Sequence, residues 1–300
     1  MKKRLKIKVI GTILIMLSMF IFTAAVMAVE DGIDEKNGLP RVVYGESLSE
    51  SQQEEVRRLL NVTDRDMVRE YIVTAADLVQ YIGGDGGSNM YSSAIITRKN
   101  EGHGIVIKIV SVENITQVTS EMYANALLTA GVENAYVEVA SPVKVTGHSA
   151  LTGIYKAFNV DGESLDQDRM EVANQELELV TELADLEGVD KESITQLLTE
   201  IKKQIAAQNP ASREEVEQIV IEQLNKLNLE LSEADIQKLS DLFEKMRSID
   251  IDFGQVTKQL EDITKSIQNR LQEISGDTDF WEVVKDFFAQ IVDAIKNIFS

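Results

Sequence analysis

Residues 92–140, SSAIITRKNEGHGIVIKIVSVENITQVTSEMYANALLTAGVENAYVEVA, decide how the first half of this chain is read. Ser92 to Arg98 and Gly104 to Val110 are rich in β-branched residues, as strands are, and Lys99-Asn100-Glu101-Gly102-His103 between them has the residues of a hairpin turn. Thr119 or Ser120 suits the cap of a helix that ends at Gly131, where glycine takes the left-handed terminal conformation. Ala135 to Ala140 makes a last strand, closed by Pro142.

Upstream, Val68 to Val73 alternates apolar and polar residues, Thr74 caps a helix through Ile82, and Gly83-Gly84-Asp85-Gly86-Gly87 forms a loop. The order from residue 68 to 140 is therefore β-α-β-β-α-β, which predicts an α+β fold: a ferredoxin-like module with helices on one face of an antiparallel sheet. Ser49 caps a helix through Leu60, and Ser149 to Phe158 is the last helix of an α/β domain over residues 46–158. Residues 29–45 read as a leader or linker.

Near residue 160 the composition shifts from glycines and β-branched runs to charged segments with helical spacing, so 159–300 reads as a helical domain. Val216, Ile219, Val220, Leu224 and Leu227 share one face; so do Ile236, Leu239, Leu242, Phe243 and Met246, and again Val256, Leu260, Ile263, Ile267, Leu271 and Ile274. Ser212, with Glu215 three residues on, starts one of these helices. The spacing breaks at Asn228–Ser232 and Ser248–Gly254, which favours a helical bundle or hairpins over a strict coiled coil. The segment 280–299 is the sharpest amphipathic signal: Phe280, Trp281, Val284, Phe287, Phe288, Ile291, Ile295 and Ile298 fall on one half of a helix and Glu282, Asp286, Asp293 and Lys296 on the other. Packing on its own chain is the expected role of that face, with association through it or membrane contact as alternatives; its polar half lacks the basic excess of a membrane-surface helix.

The N-terminus carries Lys2, Lys3, Arg4, Lys6 and Lys8, then an uncharged apolar run to Val29 with small residues at Ala24, Ala25 and Ala28. This is the pattern of a secretory signal peptide over residues 1–28, cleaved after Ala28, although the run is also long enough, at about 20 residues, to serve as a membrane anchor. No later segment is apolar enough to span. Removal of the five basic signal residues from the chain's 30 leaves 25 against 50 acidic side chains, a formal charge of −25. That surface disfavours nucleic acid and anionic lipid and leaves a peptide, protein or wall ligand outside the membrane as the expected partner. Cysteine is absent, and a chain of this length folds without disulfides.

No catalytic, metal or cofactor constellation stands out. Gly147-His148-Ser149-Ala150-Leu151 has the outline of a nucleophile elbow but carries Leu151 where that turn needs glycine, and His103 is the only other histidine. The 83–87 glycines lack the Lys-Ser or Lys-Thr of a phosphate loop. Asp161-Gly162-Glu163 with Asp166 and Asp168 misses the spacing of a calcium loop and reads as a solvated linker. Zinc lacks donors, and a single tryptophan argues against an aromatic sugar cleft.

Ile115-Thr116-Gln117-Val118-Thr119, Tyr123 to Val132 (YANALLTAGV) and Val145 to Gly153 (VTGHSALTG) resemble the YpuA-like family, secreted bacterial proteins grouped as a domain of unknown function, number 1002. The resemblance implies an exported protein of Firmicute-type bacteria with an α/β-then-helical layout, and it brings no activity or catalytic residues. Within those motifs Thr119, Asn125, Thr129, Thr146, Gly147, Ser149 and Thr152 are the candidate ligand-binding residues, because hydroxyls and helix-start N–H groups gathered at the mouth of a sheet suit an anion or a peptide carboxylate. The plainer role for the same residues is turns and caps. The sequence thus predicts an exported, non-enzymatic envelope or extracellular binding protein. The alternatives are a wall- or peptide-directed hydrolase with its site near Ser149 and a self-associating helical protein.

Overall fold

The structure, a computed structural model, describes residues 37–275 apart from 161–163, 187–188, 250 and 255, and leaves out the side chains of 270–275. The signal segment 1–28, the Asp161-Gly162-Glu163 loop and the amphipathic segment 280–299 lie outside the described residues.

Five strands, Arg41–Gly45 (β1), Arg69–Val73 (β2), Ser93–Arg98 (β3), Ile105–Ile109 (β4) and Ala135–Ala140 (β5), form one mixed sheet in the order β2-β1-β3-β5-β4. Two sequence expectations are corrected here. Residues 41–45, placed in the leader, form β1, parallel to β2 and antiparallel to β3, with Val42, Val43 and Tyr44 fully buried. The β-branched and aromatic run Val42-Val43-Tyr44 is too short to stand out beside a polar leader, but between two strands every residue finds a partner. Gly45 ends it where a Cβ would come within 2.1 Å of the Met90 carbonyl oxygen.

The second correction concerns the hairpin and, with it, the ferredoxin-like order. Strands β3 and β4 do not pair; β5 lies between them, antiparallel to β3 and parallel to β4. The connecting residues straddle Asn134. Lys99 N donates to its carbonyl (3.1 Å), Gly104 N to its Oδ1 (3.0 Å), and Ala135 N to Gly104 O (3.1 Å). Crossing one strand takes about 10 Å, within easy reach of the link. Burial selects which strand goes inside: Ala135, Val137 and Val139 are fully buried in β5, whereas β4 carries the exposed Lys108 and suits an edge.

The described helices are Glu50–Leu59 (α1), Ala75–Ile82 (α2), Ser120–Thr129 (α3), Ser149–Asn159 (α4), Gln167–Ala184 (α5), Lys191–Gln208 (α6), Arg213–Lys226 (α7), Glu233–Ser248 (α8) and Thr257–Ser275 (α9). Ser49, Thr74, Thr119 and Ser212 each accept an N–H from the first turn of the helix they precede. Of the two possible caps for α3, Thr119 is the one used. Val56 and Leu60 of the α1 region pack on Val42 and Tyr44, one face of β1. The other face opens into a single apolar cluster that runs from Val43 and Val137 through Leu127 to Leu197, Val220, Phe243 and Ile263. Helices α5–α9 therefore complete the core of the sheet rather than stand apart as a separate bundle, and the described residues form one compact unit. Contact with sheet-covering helices is invisible to a reading that looks only for a helix's own apolar stripe.

Helix α3 is the joint. It is buried from Glu121 to Thr129, and two side chains from the helical part hold it. Arg169 of α5 donates to the Thr129 (2.8 Å) and Leu128 (3.1 Å) carbonyls, capping the end of α3 before Gly131 at φ +90°. Lys202 of α6, fully buried, donates to Glu176 Oε1 (2.5 Å), Asn125 O (2.9 Å) and Thr129 Oγ1 (2.9 Å). Thr129 Oγ1 donates to the second oxygen of Glu176 (2.6 Å), and Asn125 Nδ2 to Thr199 Oγ1 (2.8 Å). Burial pushes the Lys202 ammonium below its ordinary value, and the Glu176 carboxylate opposes that. A buried ion pair with its remaining valences hydrogen-bonded tolerates loss of both charges better than loss of one. Lys202→Met, which strands Glu176, is expected to lower stability by about 3–5 kcal/mol in urea unfolding, and Lys202→Met with Glu176→Leu to recover most of it.

Candidate functional site

Strand β4 is one of the two edge strands of the sheet, β2 being the other. Side-chain period and hydrogen bonding together fix which of its backbone groups are free. Gly104 O and Val110 N bond β5, so the even-numbered residues between them face inward and Ile105, Ile107 and Ile109 present their N–H and C=O outward. Ile105 N is already used: it donates to Gln259 Oε1 of α9 (3.1 Å). Among the described residues no strand pairs with the outward groups of Ile107 and Ile109.

Two adjoining hollows, of about 350 and 270 Å³, follow this edge and share Ile107 and Ser120, so they are the two ends of one groove. The end near Ile109 is lined by Ile115, Val118, Thr119 and Lys191; the end near Ile105 by Ala124, Ile263, Glu121, Asp262 and Gln259. Its floor is apolar; its walls are the first part of α3 throughout, residues 112–118 with Lys191 of α6 at the Ile109 end, and residues 259–266 of α9 at the Ile105 end. Lys191 Nζ donates to the Thr116 carbonyl (2.6 Å), while the neighbouring Asp190 carboxylate is spent on Ser193 N and Oγ. Lys108 reaches Glu138 (3.0 Å). Val112, 70% exposed, stands at the rim.

Of the candidate residues from the sequence, Thr119 lines this groove and caps α3 through Met122 N (3.2 Å). Asn125 and Thr129 come together on Lys202 and Glu176, fully enclosed. Thr146 is exposed, and its carbonyl accepts from Gln117 N (3.2 Å) and Val118 N (3.3 Å). Gly147 sits at φ +110°, where a Cβ would lie 2.8 Å from both Ile115 Cγ2 and Tyr123 Oη, and its carbonyl accepts from Tyr123 Oη (2.6 Å). Ser149 is the first residue of α4, and Thr152 is fully buried, its hydroxyl without a hydrogen-bond partner among the described residues. Sequence reasoning did not single out Lys191 or Gln259, and of the β4 edge it showed only the β-branched run Ile105-Val106-Ile107-Lys108-Ile109; which strand is an edge depends on the sheet order.

Residues 44–263 match the family described as "Protein of unknown function (DUF1002)". The chain belongs to this family. It is similar to the "Uncharacterized protein YpuA" of Bacillus subtilis (strain 168), 36% identical over 266 residues that cover 86% of this chain and 89% of the relative. No solved structure matches it. The DUF1002 match covers strands β2 to β5, the end of β1, helices α1 to α8 and the first part of α9, and with them nearly all of the groove lining.

In this DUF1002 chain the elbow-like turn is built for packing. His148 directs Nε2 to Thr181 Oγ1 of α5 (3.0 Å) and not to the adjacent Ser149. The Thr181 hydroxyl is itself within reach of the Leu177 (3.0 Å) and Glu178 (2.9 Å) carbonyls, which leaves its oxygen to accept from the imidazole. Burial lowers the His148 pKa from its ordinary value, and the nearby Glu178 charge opposes this. The unfolded chain therefore binds this proton more readily than the folded one, and stability present above the unfolded value of about 6.5 is lost as the pH falls through it. The urea midpoint is expected to drop between about pH 7.5 and 5.5, and His148→Gln, which keeps a donor for Thr181, to flatten that part of the profile.

Proposed function

We propose that this protein acts outside the cytoplasmic membrane as a non-catalytic binding protein, and that it takes an extended peptide segment as an added strand along β4. The observation that carries this reading is the pair of outward, unpaired backbone positions at Ile107 and Ile109 above an apolar groove. Backbone groups on a free edge supply affinity for any extended chain, and the hollows beside it supply side-chain selection. The basic start, apolar run and Ala28 of the N-terminal segment support export, as does a mature surface too acidic for nucleic acid.

Two measurements test it. Fractionation of the native host, with the N-terminus read by mass spectrometry, is expected to find Val29 first in the wall or medium; an intact Met1 in the cytoplasm would sink the export half. A pool of random-sequence octapeptides is expected to slow amide exchange at Ile107 and Ile109. Ile107→Pro should weaken that binding by about tenfold or more while the protein stays folded, because an outward N–H at an edge carries no ladder bond. Lys108→Pro, which removes an inward one, should destabilise the sheet instead.

A further inference from the structure

The two ends of the β4 groove differ in charge, and the difference has a direction. At the Ile109 end stand Lys191 and Thr119, the N-cap of α3; Ser120, the first residue of that helix and the positive end of its dipole, lies where the two ends of the groove meet. Among the described residues Lys191 has a carbonyl partner and no carboxylate within ion-pairing distance. At the Ile105 end the wall carries Glu121, which accepts from Ser266 Oγ (2.7 Å), and Asp262, paired with Lys265 (3.1 Å). In a chain with 50 acidic against 30 basic residues, an end lined without carboxylates is the exception. A peptide has the opposite polarity built in, an ammonium at its start and a carboxylate at its finish.

We infer that the groove selects free C-terminal tails: the ligand strand lies parallel to β4, with its terminal carboxylate held at Lys191 and the N-terminal turn of α3. This rests on the strand-addition reading above and adds to it the class of ligand and its direction. Only a parallel strand brings the carboxylate to the Ile109 end, and there the ammonium of Lys191 and the helix dipole both act on it through charge-assisted hydrogen bonds. An internal segment, or an amidated tail, offers the same backbone to Ile107 and Ile109 but leaves that end without an anion.

The test uses two random octapeptide pools, one with free C-termini and one amidated, against the full mature chain, read by calorimetry and by exchange at the Ile107 and Ile109 amides. The free pool is expected to bind roughly tenfold tighter, with the advantage shrinking as salt rises. Lys191→Gln should bring the two pools together at unchanged thermal stability, and Lys191→Arg should restore the gap. Equal binding of both pools at the β4 amides would overturn the carboxylate inference while leaving strand addition in place. Protection of those amides by neither pool would overturn both.

Discussion

The ammonium of Lys202 holds this molecule together at the place where two unlike halves meet. It comes from a helix that follows the sheet in the chain, and it ends among groups of α3 and α5. A lysine taken wholly out of water is costly unless a carboxylate and further acceptors surround it, and Glu176, the Asn125 carbonyl and the Thr129 hydroxyl do so. Each of those acceptors is placed by a different turn of a helix, so the pair tolerates little sliding of α5 or α6 across α3. Apolar contact along Leu127, Leu197 and Leu177 supplies the bulk of the attraction, and the ion pair supplies the register.

With α3 fixed, the groove beside β4 follows. The first part of α3 and residues 259–266 of α9 are among its walls, and α9 is placed by α6: Thr264 Oγ1 donates to Glu200 Oε1 (3.0 Å), and Ser266 Oγ reaches Glu121 on α3 (2.7 Å). Gln259 then arrives beside Ile105 and closes one of the three outward backbone positions of the edge. A sheet edge is a hazard when it is long and flat. Here it is shortened to two open residues and flanked by helices, which limits what can add to it to a single extended chain.

Carrying the outline of a motif and forming a site are different matters in the turn before α4. Gly147 looks like part of an active-site elbow because it precedes His148 and Ser149, yet its position is set by close approach: a side chain there would meet Ile115, Val118 and Tyr123. The Tyr123 hydroxyl, fully buried, donates to the Gly147 carbonyl, and burial drives the phenol well above its ordinary range. The turn thus ties α3 to α4 just as Lys202 ties it to α6. The candidate residues Asn125, Thr129 and Gly147 share this character, as connectors of the central helix.

Local chemistry was legible in the sequence. The strands at 93–98, 105–109 and 135–140, the caps at Ser49, Thr74 and Ser212, and the helical character beyond residue 160 each depend on residues close in the chain, through hydroxyl-to-backbone bonds and side-chain period. The acidic balance, the absence of cysteine and the N-terminal pattern are likewise properties of composition and order alone. What only the tertiary structure decided is who pairs with whom. Alternation in Ser93–Arg98 and Ile105–Ile109 says that both are strands but is silent on Ala135–Ala140 entering between them, because strand pairing is settled by burial across the sheet and not by the link. For the same reason the edge at β4, the lysine at its end, and the meeting of Lys202 with Glu176 belong to the fold: they join residues far apart in the chain, brought together by a core that no single segment contains.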